Sequence, residues 1–375
     1  MEMLDQLSDL EIEILPSSHA DRINEDLWNN LSCNSLYPNP FYERWNLLPA
    51  LHNLIENEEI YIVLIRHQNE LTGLLPVIVL RQFYKIKYLS AWKHKHCYLT
   101  DPLLSQKIDM IKIFNQIGTI LDTNWMLMPV HSPDLLDNNY HRIYSRQFNR
   151  AAVVNTNSID SHMNSLKGKA KREVRRTLNK ITNHFEIKHI EHVDLAHGLQ
   201  RFTQLEHSGW KGKDLGSILS NKSVTDYYFE MITVPETRQK LNFQELWAND
   251  QLVAMNMRMM TQGFWFDVKT SFNEDFKEYS PGKVLELKNL ELLKKASFTY
   301  LDSCTNPGNN LINKYWPNRK EFQKSWIFYN SIKSRCWQKI TEAVHRIKRA
   351  KENISIWKEN ATRVDRFNFN DDTDT

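Results

Sequence analysis

The stretch KTSFNEDFKEYSPGKVLELKNLELLKKA (residues 269–296) runs from the end of an apolar strand through a short polar loop into a helix. Ser280 stands where a helix N-cap is expected, Pro281 where the first helical residue is expected, and Gly282 leaves space over the first turn. The N–H groups at such a helix start bind phosphate, and Lys283 adds a positive charge at the same place. An ordinary, well-capped helix would show the same pattern, so these residues alone leave both interpretations open.

Two segments of the chain have similar patterns of strands and turns. FQELWANDQLVAMNMRMMTQGFWFDVK (243–269) has the pattern of three strands joined by tight turns, and YIVLIRHQNELTGLLPVIVL (61–80) has the pattern of a hairpin. Residues 69–73 align with residues 250–254, an offset of 181 residues. This predicts either two unrelated hairpins or a domain duplicated over nearly half the chain.

The segment SLKGKAKREVRRTLNKI (165–181) is rich in Lys and Arg. Its apolar residues recur every three or four positions, which predicts an amphipathic helix with one buried side formed by Leu166, Ala170, Val174, Leu178 and Ile181. The chain has 48 Lys and Arg against 45 Asp and Glu, and a net charge of +3 gives little long-range attraction to a polyanion. We therefore expect this helix to join two domains and to line a cleft, where Arg172 and Arg176 meet an anionic ligand.

The composition is typical of a globular protein with two domains. The chain has 375 residues, of which 41% are apolar and 25% charged, enough for two hydrophobic cores and unlike a disordered chain. Its four cysteines have no regular spacing, which fits a reducing compartment. The N-terminal sequence lacks the layout of a signal peptide, and the longest apolar run, Leu71–Leu80, is half a membrane span. We expect a cytoplasmic protein without a transmembrane segment.

One short run, His94-Lys95-His96-Cys97, could supply metal ligands, because alternate residues of a strand share a face. No second cluster completes a tetrahedral site, so we expect no metal. Sequence motifs of serine hydrolases, zinc proteases, P-loop proteins and Rossmann domains are also missing from the sequence.

Several motifs follow one another in the second half: K-x-K-R-x-x-R-R at 169–176, E-x-x-G-W-K-G at 206–212, L-V-A at 252–254 and F-x-x-D-F-x-x-Y-S-P-G at 272–282. With Asp302 and Lys314 further on, this order resembles the acyl-CoA N-acyltransferase (GNAT) superfamily. The resemblance is to the branch of CelD-type polysaccharide-biosynthesis acetyltransferases and FemAB-type aminoacyltransferases. It covers residues 165–326 well and residues 40–104 more loosely. The family usually has glycine after the aspartate of the last motif, whereas Ser303-Cys304 follows Asp302 here.

The resemblance implies an α+β fold of two tandem GNAT-like domains, each a mostly antiparallel mixed sheet flanked by helices. It also implies transfer of an acetyl or other acyl group from acyl-CoA, as co-substrate, to an amine or hydroxyl of a sugar, polysaccharide precursor or small amine. We place an N-terminal GNAT-like domain at 1–160 and a catalytic GNAT domain at 161–330. A basic helical extension and an acidic tail would occupy 331–375.

The resemblance also implies which residues form the site. The coenzyme would bind at the helix start formed by Ser280, Pro281, Gly282, Lys283, Val284 and Leu285. The catalytic groups would be Glu206, Lys269, Tyr279, Asp302 and Lys314. Glu206 would act as the base, Tyr279 or Tyr315 would protonate the thiolate, and backbone N–H groups of residues 263–269 would polarise the thioester carbonyl. The remaining substrate contacts would come from Arg172, Arg176, Trp210 and Lys211.

Two other functions stay open. A FemAB-type transferase would use aminoacyl-tRNA, and the basic helix would then contact RNA. Such enzymes often carry an inserted coiled-coil arm, and no long heptad stretch occurs in the second domain. A non-catalytic GNAT-fold module would instead bind a partner through the helix predicted at 331–359. We expect nucleic acid as a partner only in the aminoacyl-tRNA alternative.

Overall fold

The computed structural model describes residues 10–82, 86–130, 135, 144–154, 156–166, 168–191, 194–294 and 298–329, with scattered positions up to 346. Most of the predicted extension and tail at 331–375 therefore lies outside the described residues. We call residues 10–154 the first half and residues 156–329 the second half. No helix in the described part is long and apolar enough to cross a membrane.

The strands of the described residues are named in chain order. They are β1 (Leu10–Pro16), β2 (Ile60–His67), β3 (Glu70–Gln82), β4 (Ile86–Ala91), β5 (Leu103–Leu104), β6 (Trp125–Val130), β7 (Tyr144–Val153), β8 (Ile187–Ile190), β9 (Leu241–Ala248), β10 (Gln251–Thr261), β11 (Phe264–Phe272), β12 (Tyr300–Asp302) and β13 (Asn318–Phe328).

The α-helices of the described residues are named in the same way. They are α1 (Glu25–Asn34), α2 (Arg44–Asn53), α3 (Met110–Ile120), α4 (Thr156–Ser165), α5 (Gly168–Thr182), α6 (Leu195–Ser208), α7 (Trp210–Lys213), α8 (Lys222–Met231), α9 (Pro281–Leu293) and α10 (Asn310–Tyr315). Short 3-10 turns at Ile218–Ser220 and Glu274–Tyr279 precede α8 and α9.

The sheet is built from the same strand arrangement twice. Strands β1 to β4 pair antiparallel in succession, and β6 then joins β4 in parallel. Strands β8 to β11 do the same, and β12 joins β11 in parallel. The expected α+β fold of two similar, mostly antiparallel halves is therefore confirmed.

The two hairpins that resemble each other in sequence also share a bulge. In β2–β3 the register shifts so that Thr72 is an extra residue, and in β9–β10 Val253 is the extra residue. Thr72 and Val253 are separated by 181 residues, the offset of the sequence alignment. A bulge places one added residue on one strand and is a specific structural feature. Its presence at equivalent positions supports duplication over two unrelated hairpins.

The halves exchange their last strands. β7 follows β6 in the chain but pairs with β12, whereas β13 follows β12 and pairs with β6. β7 and β13 also pair antiparallel with each other, from Asn318 opposite Ala152 to Trp326 opposite Tyr144. The two halves thereby form one continuous sheet in the order β1-β2-β3-β4-β6-β13-β7-β12-β11-β10-β9-β8.

The halves also share a hydrophobic core on one face of the sheet. Helix α2 of the first half packs against α8 of the second half, where the Tyr227 hydroxyl donates to Asn46 Oδ1 at 2.6 Å. On the opposite face, α5 packs through Val174, Leu178 and Ile181, as its apolar stripe predicts. The amphipathic helix predicted from the basic segment is therefore confirmed.

The joining of the halves generates a test at Gly118, inside α3. A Cβ atom added there would lie 2.2 Å from Cε2 of buried Tyr329, the residue that follows β13. Alanine in place of glycine inside a helix normally stabilises by about 1 kcal/mol. Here overpacking should reverse the sign, and we expect Gly118→Ala to lower the free energy of unfolding by roughly 1–3 kcal/mol in urea titrations.

The matched control is Gly308→Ala, where nothing lies within 4 Å of an added Cβ. This variant should unfold within about 0.5 kcal/mol of the wild type, as surface substitutions usually do. Equal stability of the two variants would contradict the packing of Tyr329 on α3.

Candidate active site

A cleft opens where β11 and β12 part. The two strands pair in parallel only from Phe264 opposite Tyr300 to Phe266 opposite Asp302. β12 ends there, whereas β11 continues to Phe272. A cleft of about 630 Å³ occupies the space and is lined by Asn256, Asp267, Val268, Lys269, Thr270, Phe272, Lys277, Ser280, Pro281, Gly282, Lys283, Glu286, Ser303, Cys304, Thr305, Asn309, Ile312 and Trp316.

A β-bulge in β11 lies in the wall of this cleft. Asp267 is opposite Arg258 of β10, but Lys269 is opposite Met257, so Val268 is the extra residue. The bulge leaves Val268 outside the regular ladder and turns its neighbours to opposite faces. Asp267 pairs with Arg258 on the α9 face, whereas Lys269 reaches towards α6. The strand that we expected to polarise a carbonyl therefore has an irregular backbone where it borders the cleft.

Helix α9 begins at one end of the cleft. Ser280 occupies the N-cap position but has a left-handed backbone with φ of 54°, and its side chain makes no capping hydrogen bond. Ser280 is therefore the N-cap residue, as expected, and the preceding 3-10 turn at Glu274–Tyr279 ends directly at it. Pro281 is the first helical residue, and the N–H groups of Lys283 and Val284 donate to Ser280 O at 3.0 and 3.1 Å.

The predicted coenzyme-binding residues therefore divide into two groups. Ser280, Pro281, Gly282 and Lys283 line the cleft. The side chains of Val284 and Leu285 are instead buried in the core between α5, α9 and the sheet.

Glu206 is held by two lysines. Lys211 Nζ and Lys269 Nζ lie 3.0 and 2.9 Å from Glu206 Oε1, and Ile218 N–H donates to Oε2 at 2.8 Å. Burial acts to raise the pKa of Glu206, but the charges of Lys269 and Lys211 outweigh it and leave that pKa below its usual value. A carboxylate in this environment is a weak proton acceptor. The geometry favours a role in positioning the two lysines over the role of general base.

Glu173 has a similar arrangement at the other end of the cleft. It is the acidic residue of the basic helix α5, and its carboxylate pairs with both Lys283 and Lys314. Hydrogen bonds from these two lysines lower the pKa of Glu173 to about 2. Glu173 therefore ties α5 to the start of α9 and to α10. Lys283 lines the cleft, and Lys314 is outside its lining.

Asp302 is part of a buried joint. Its Oδ1 accepts from Arg150 Nη1 at 3.0 Å and from the Cys304 N–H at 2.7 Å, and its Oδ2 accepts from the Tyr300 hydroxyl at 3.0 Å. These bonds hold Asp302 at the end of β12 and outside the cleft lining. Cys304 has φ of 51°, a left-handed backbone that glycine adopts more easily. The glycine expected directly after the aspartate is thus absent, and the left-handed residue follows one position later.

Other predicted site residues lie away from the cleft. Tyr279 packs edge-to-face against Phe185, with ring centroids 5.1 Å apart. Trp210 is 53% exposed on α7, and Arg172 and Arg176 are exposed on α5. Of these four predicted residues, none is in the cleft lining. Their contact with a substrate stays a prediction.

The possible metal-ligand run has a different local structure from the one we expected. His94 and His96 lie in a loop with a turn, and the prediction that they share one face of a strand is wrong. Both residues belong to an aromatic cluster with Tyr227. The described residues contain no group of three or more side chains suited to hold a metal ion.

One family model matches the segment of the chain that supplies most of the cleft lining. Residues 168–310 match the family described as acetyltransferase (GNAT) domain. This part of the second half is thus similar to a GNAT acetyltransferase domain, which supports the resemblance inferred from its motifs. The CelD-type subdivision stays a prediction. No curated protein matches the chain at a significant level.

Solved structures share the fold over most of the chain. A conserved protein of unknown function from Bacteroides thetaiotaomicron VPI-5482 aligns with a TM-score of 0.54 and 10% identity, covering 85% of this chain and 99% of that one. FemX aligns with a TM-score of 0.50 and 8% identity, covering 80% of this chain and 96% of that one. At these identities the likeness concerns the fold alone.

One titratable residue of the cleft was not predicted from the sequence. Glu286 of α9 lines the cleft, is only 7% exposed, and accepts a hydrogen bond from Trp316 Nε1. Burial, with a smaller contribution from Asp267, raises the pKa of Glu286 to about 7. Glu286 was not predicted as a site residue because the sequence of α9 has the pattern of an ordinary apolar helix. The available signal was an acidic residue between Leu285 and Leu287.

The raised pKa of Glu286 predicts a pH-dependent effect on stability. The folded protein binds this proton more tightly than the unfolded chain, so the stability it contributes is present at low pH and is lost as the pH rises through about 7. Glu286→Gln should therefore raise the free energy of unfolding at about pH 8, by up to roughly 3 kcal/mol, and change it little at about pH 4.

Urea unfolding at the two pH values measures this difference, and Glu291→Gln is the control. Glu291 is exposed on the same helix. Its replacement should shift stability by less than about 0.5 kcal/mol at either pH. If Glu286→Gln had the same effect at both pH values, the carboxyl would not titrate abnormally.

Proposed function

We propose that the second half transfers an acyl group from acyl-CoA to an amine or hydroxyl of an acceptor. The observation that carries this proposal is the cleft formed where β11 and β12 part, with a helix start at one end and a bulge in its wall. The match of residues 168–310 to the acetyltransferase (GNAT) family supports it. A sugar or polysaccharide precursor as acceptor, and a cytoplasmic location, are further parts of the proposal.

The pyrophosphate of the coenzyme would lie at the start of α9. GNAT folds place it on the N–H groups of the helix that follows the fourth strand, which here is α9. Gly282 has no side chain to block an approach, and the helix dipole favours an anion there. Lys277 and Lys283 of the cleft lining add positive charge. The thioester would then extend along β11 towards the bulge at Val268.

The transfer needs little covalent machinery. The acceptor nitrogen or oxygen attacks the thioester carbonyl, a new bond forms to the acyl carbon, and the C–S bond breaks. The proton lost by the acceptor must reach the thiolate. Glu286, with a pKa of about 7, is suited to take up and return that proton near neutral pH. N–H groups beside the bulge would stabilise the oxyanion, and the fixed geometry would supply much of the rate.

Gly282→Glu tests the placement of the coenzyme. The new carboxylate would lie against the pyrophosphate and should abolish acetyl-CoA binding, measured by titration calorimetry. The fold should survive, because an added Cβ would meet only Phe272 Cδ1 at 3.5 Å and an acidic residue suits a helix start. The wild type should bind one acetyl-CoA per chain, because the equivalent helix of the first half, α3, is capped by Asp109, whose carboxylate already accepts from the N–H groups of Ile111 and Lys112.

Gly308→Glu is the matched control, since it adds the same charge at a site with open space. Its affinity for acetyl-CoA should stay within about threefold of the wild type, a difference below 1 kcal/mol. Unchanged affinity for acetyl-CoA in a folded Gly282→Glu protein would refute the placement of the coenzyme at α9. Binding of two acetyl-CoA molecules per chain would refute the prediction that the first half binds none.

The second candidate function is aminoacyl transfer from charged tRNA. It is favoured by the outer face of α5, which exposes a row of cations for which the described residues provide no salt-bridge partner: Lys169, Lys171, Arg172, Arg175 and Arg176. These cations face away from the cleft lining. They could follow a phosphate backbone, whereas our preferred function requires no such contact.

The salt dependence of tRNA binding separates the two functions. In acyl-CoA transfer, Arg172→Ala with Arg176→Ala should leave weak tRNA binding and its shallow salt dependence nearly unchanged. In aminoacyl transfer, the wild type should show a steep log–log dependence on salt, and the double variant should reduce the slope by about two. The latter result would place the aminoacyl-tRNA function first.

A further inference from the structure

A loop of the first half reaches the second half beside the cleft. Residues 92–98 connect β4 to the segment before β5, and His96 in this loop packs against α8. The His96 ring lies edge-to-face on Tyr228, with centroids 5.4 Å apart, and more nearly parallel to Tyr227, at 6.1 Å. His94 also packs edge-to-face against Tyr227, with centroids 5.5 Å apart. The loop is thus fixed by aromatic contacts with the GNAT domain.

The partners of the two histidines determine which ring nitrogens carry protons. Burial raises the pKa of the Tyr228 hydroxyl well above its usual value, so Tyr228 keeps its proton, and we assign this hydroxyl as the donor to His96 Nδ1, which lies 3.3 Å away. His94 Nδ1 accepts from the His96 N–H, also at 3.3 Å. Burial lowers the pKa of both imidazoles to about 3, so both are neutral. Each ring then carries its proton on Nε2.

Both Nε2–H groups are buried, and neither has a hydrogen-bond partner in the structure. His96 itself is only 7% exposed. Buried polar groups in folded proteins are nearly always paired, so an unpartnered donor indicates the place of a water molecule or a ligand atom. Two such donors lie on neighbouring rings, whose centroids are 6.1 Å apart.

The surroundings of His96 are positively charged. Lys269, which lines the cleft, is close enough for its charge to lower the pKa of His96, and Lys95 contributes in the same direction. Lys211 adds a third ammonium group through its bond to Glu206. These three lysines stand against one carboxylate in these contacts, that of Glu206, so positive charge is in excess at this end of the cleft.

We propose that His96 Nε2–H and the Lys269 ammonium group form an acceptor subsite that binds a carboxylate. The inference rests on the proposed acyl transfer, because it makes the acceptor an amine or hydroxyl compound that also carries a carboxylate. The subsite offers directed N–H donors and an excess of positive charge, which together suit an anionic oxygen. A singly charged, planar carboxylate suits this closed place better than a doubly charged phosphate, whose burial costs more.

The test uses acetate as the probe on the full chain with ¹⁵N-labelled histidines. Acetate should shift the His96 ring N–H resonance in a saturable manner, and neutral acetamide of the same shape should not. Acetate should also raise the melting temperature more than acetamide does at equal ionic strength, since a ligand of the folded state stabilises it. Phosphate should bind more weakly than acetate.

Two substitutions of the same residue provide the matched controls. His96→Asn keeps a polar atom near Nδ1 for Tyr228 but loses the donor at Nε2, and should weaken acetate binding at least about tenfold. His96→Gln retains an N–H near Nε2 and should bind acetate within about threefold of the wild type. Circular dichroism confirms the fold of each variant, and a variant that does not fold is replaced by Lys269→Gln, which should also weaken acetate binding.

The outcomes separate this inference from the proposed function, because acetyl-CoA is titrated into the same samples. Acetyl-CoA binding without a saturable acetate shift at His96 would overturn the subsite and leave acyl transfer standing. Acetate binding without acetyl-CoA binding would support the subsite and overturn acyl transfer. Tighter binding of phosphate than of acetate, or equal acetate binding by the Asn and Gln variants, would overturn the carboxylate assignment.

Discussion

The buried ion pair of Arg150 and Asp302 fixes the position at which the sheet opens. Arg150 belongs to β7 and Asp302 ends β12, so their 3.0 Å contact joins the two strands at the last parallel pair of β11 and β12. Burial opposes the charge of Arg150, but Asp302 more than compensates and raises the pKa of the guanidinium. Arg150 Nη2 also donates to Tyr98 O in the loop that carries His96. One side chain thus holds the strand end, the exchanged strand and the loop of the first half in a fixed relation.

The two halves share a strand arrangement but differ in the segment that follows the fourth antiparallel strand. In the second half, the segment after β11 turns into α9 and leaves a cleft. In the first half, the segment after β4 forms a loop that packs Trp92 and His94 into the aromatic cluster and then leads to β5. The repeated strand arrangement is therefore followed by different segments in the two halves. The first half contributes Arg150, which bonds Asp302 at the end of β12, whereas the cleft itself is lined by second-half residues.

The sequence was informative wherever the signal is local. The hairpins, the apolar stripe of α5 and the helix start at Pro281 depend on residues close together in the chain, and the structure confirms them. The exchange of β7 and β13 could not be predicted, because pairing between distant strands leaves no periodic signal. Ser280 is the predicted N-cap residue, but its left-handed backbone could not be predicted, because a serine before proline indicates only the position of the cap.

The roles of the charged residues could likewise be predicted only in part, because they depend on residues distant in the chain. The motif at 206–212 drew attention to Glu206 and Lys211, but it does not show that Glu206 is shared by two lysines. The role of a carboxylate depends on its neighbours in space, and a motif does not contain them. Glu286 shows the converse, since its place in a row of leucines suggested an ordinary helix although the fold brings it to the cleft. The sequence could indicate candidate residues, but it could not show which of them lie close enough in the fold to share a proton or a charge.

The exchange of strands also has a consequence for how the chain acquires its structure during synthesis. β6 of the first half has β13 as its neighbour, and the paired residues Met128 and Ser325 are separated by 197 positions in the sequence. Until β13 has left the ribosome, the outer edge of β6 has no partner, and open edges of this kind attract other strands. Contacts of such long range slow folding, and incomplete chains with exposed edges are prone to aggregate. The nascent first half therefore carries an open sheet edge until β13 has been synthesised.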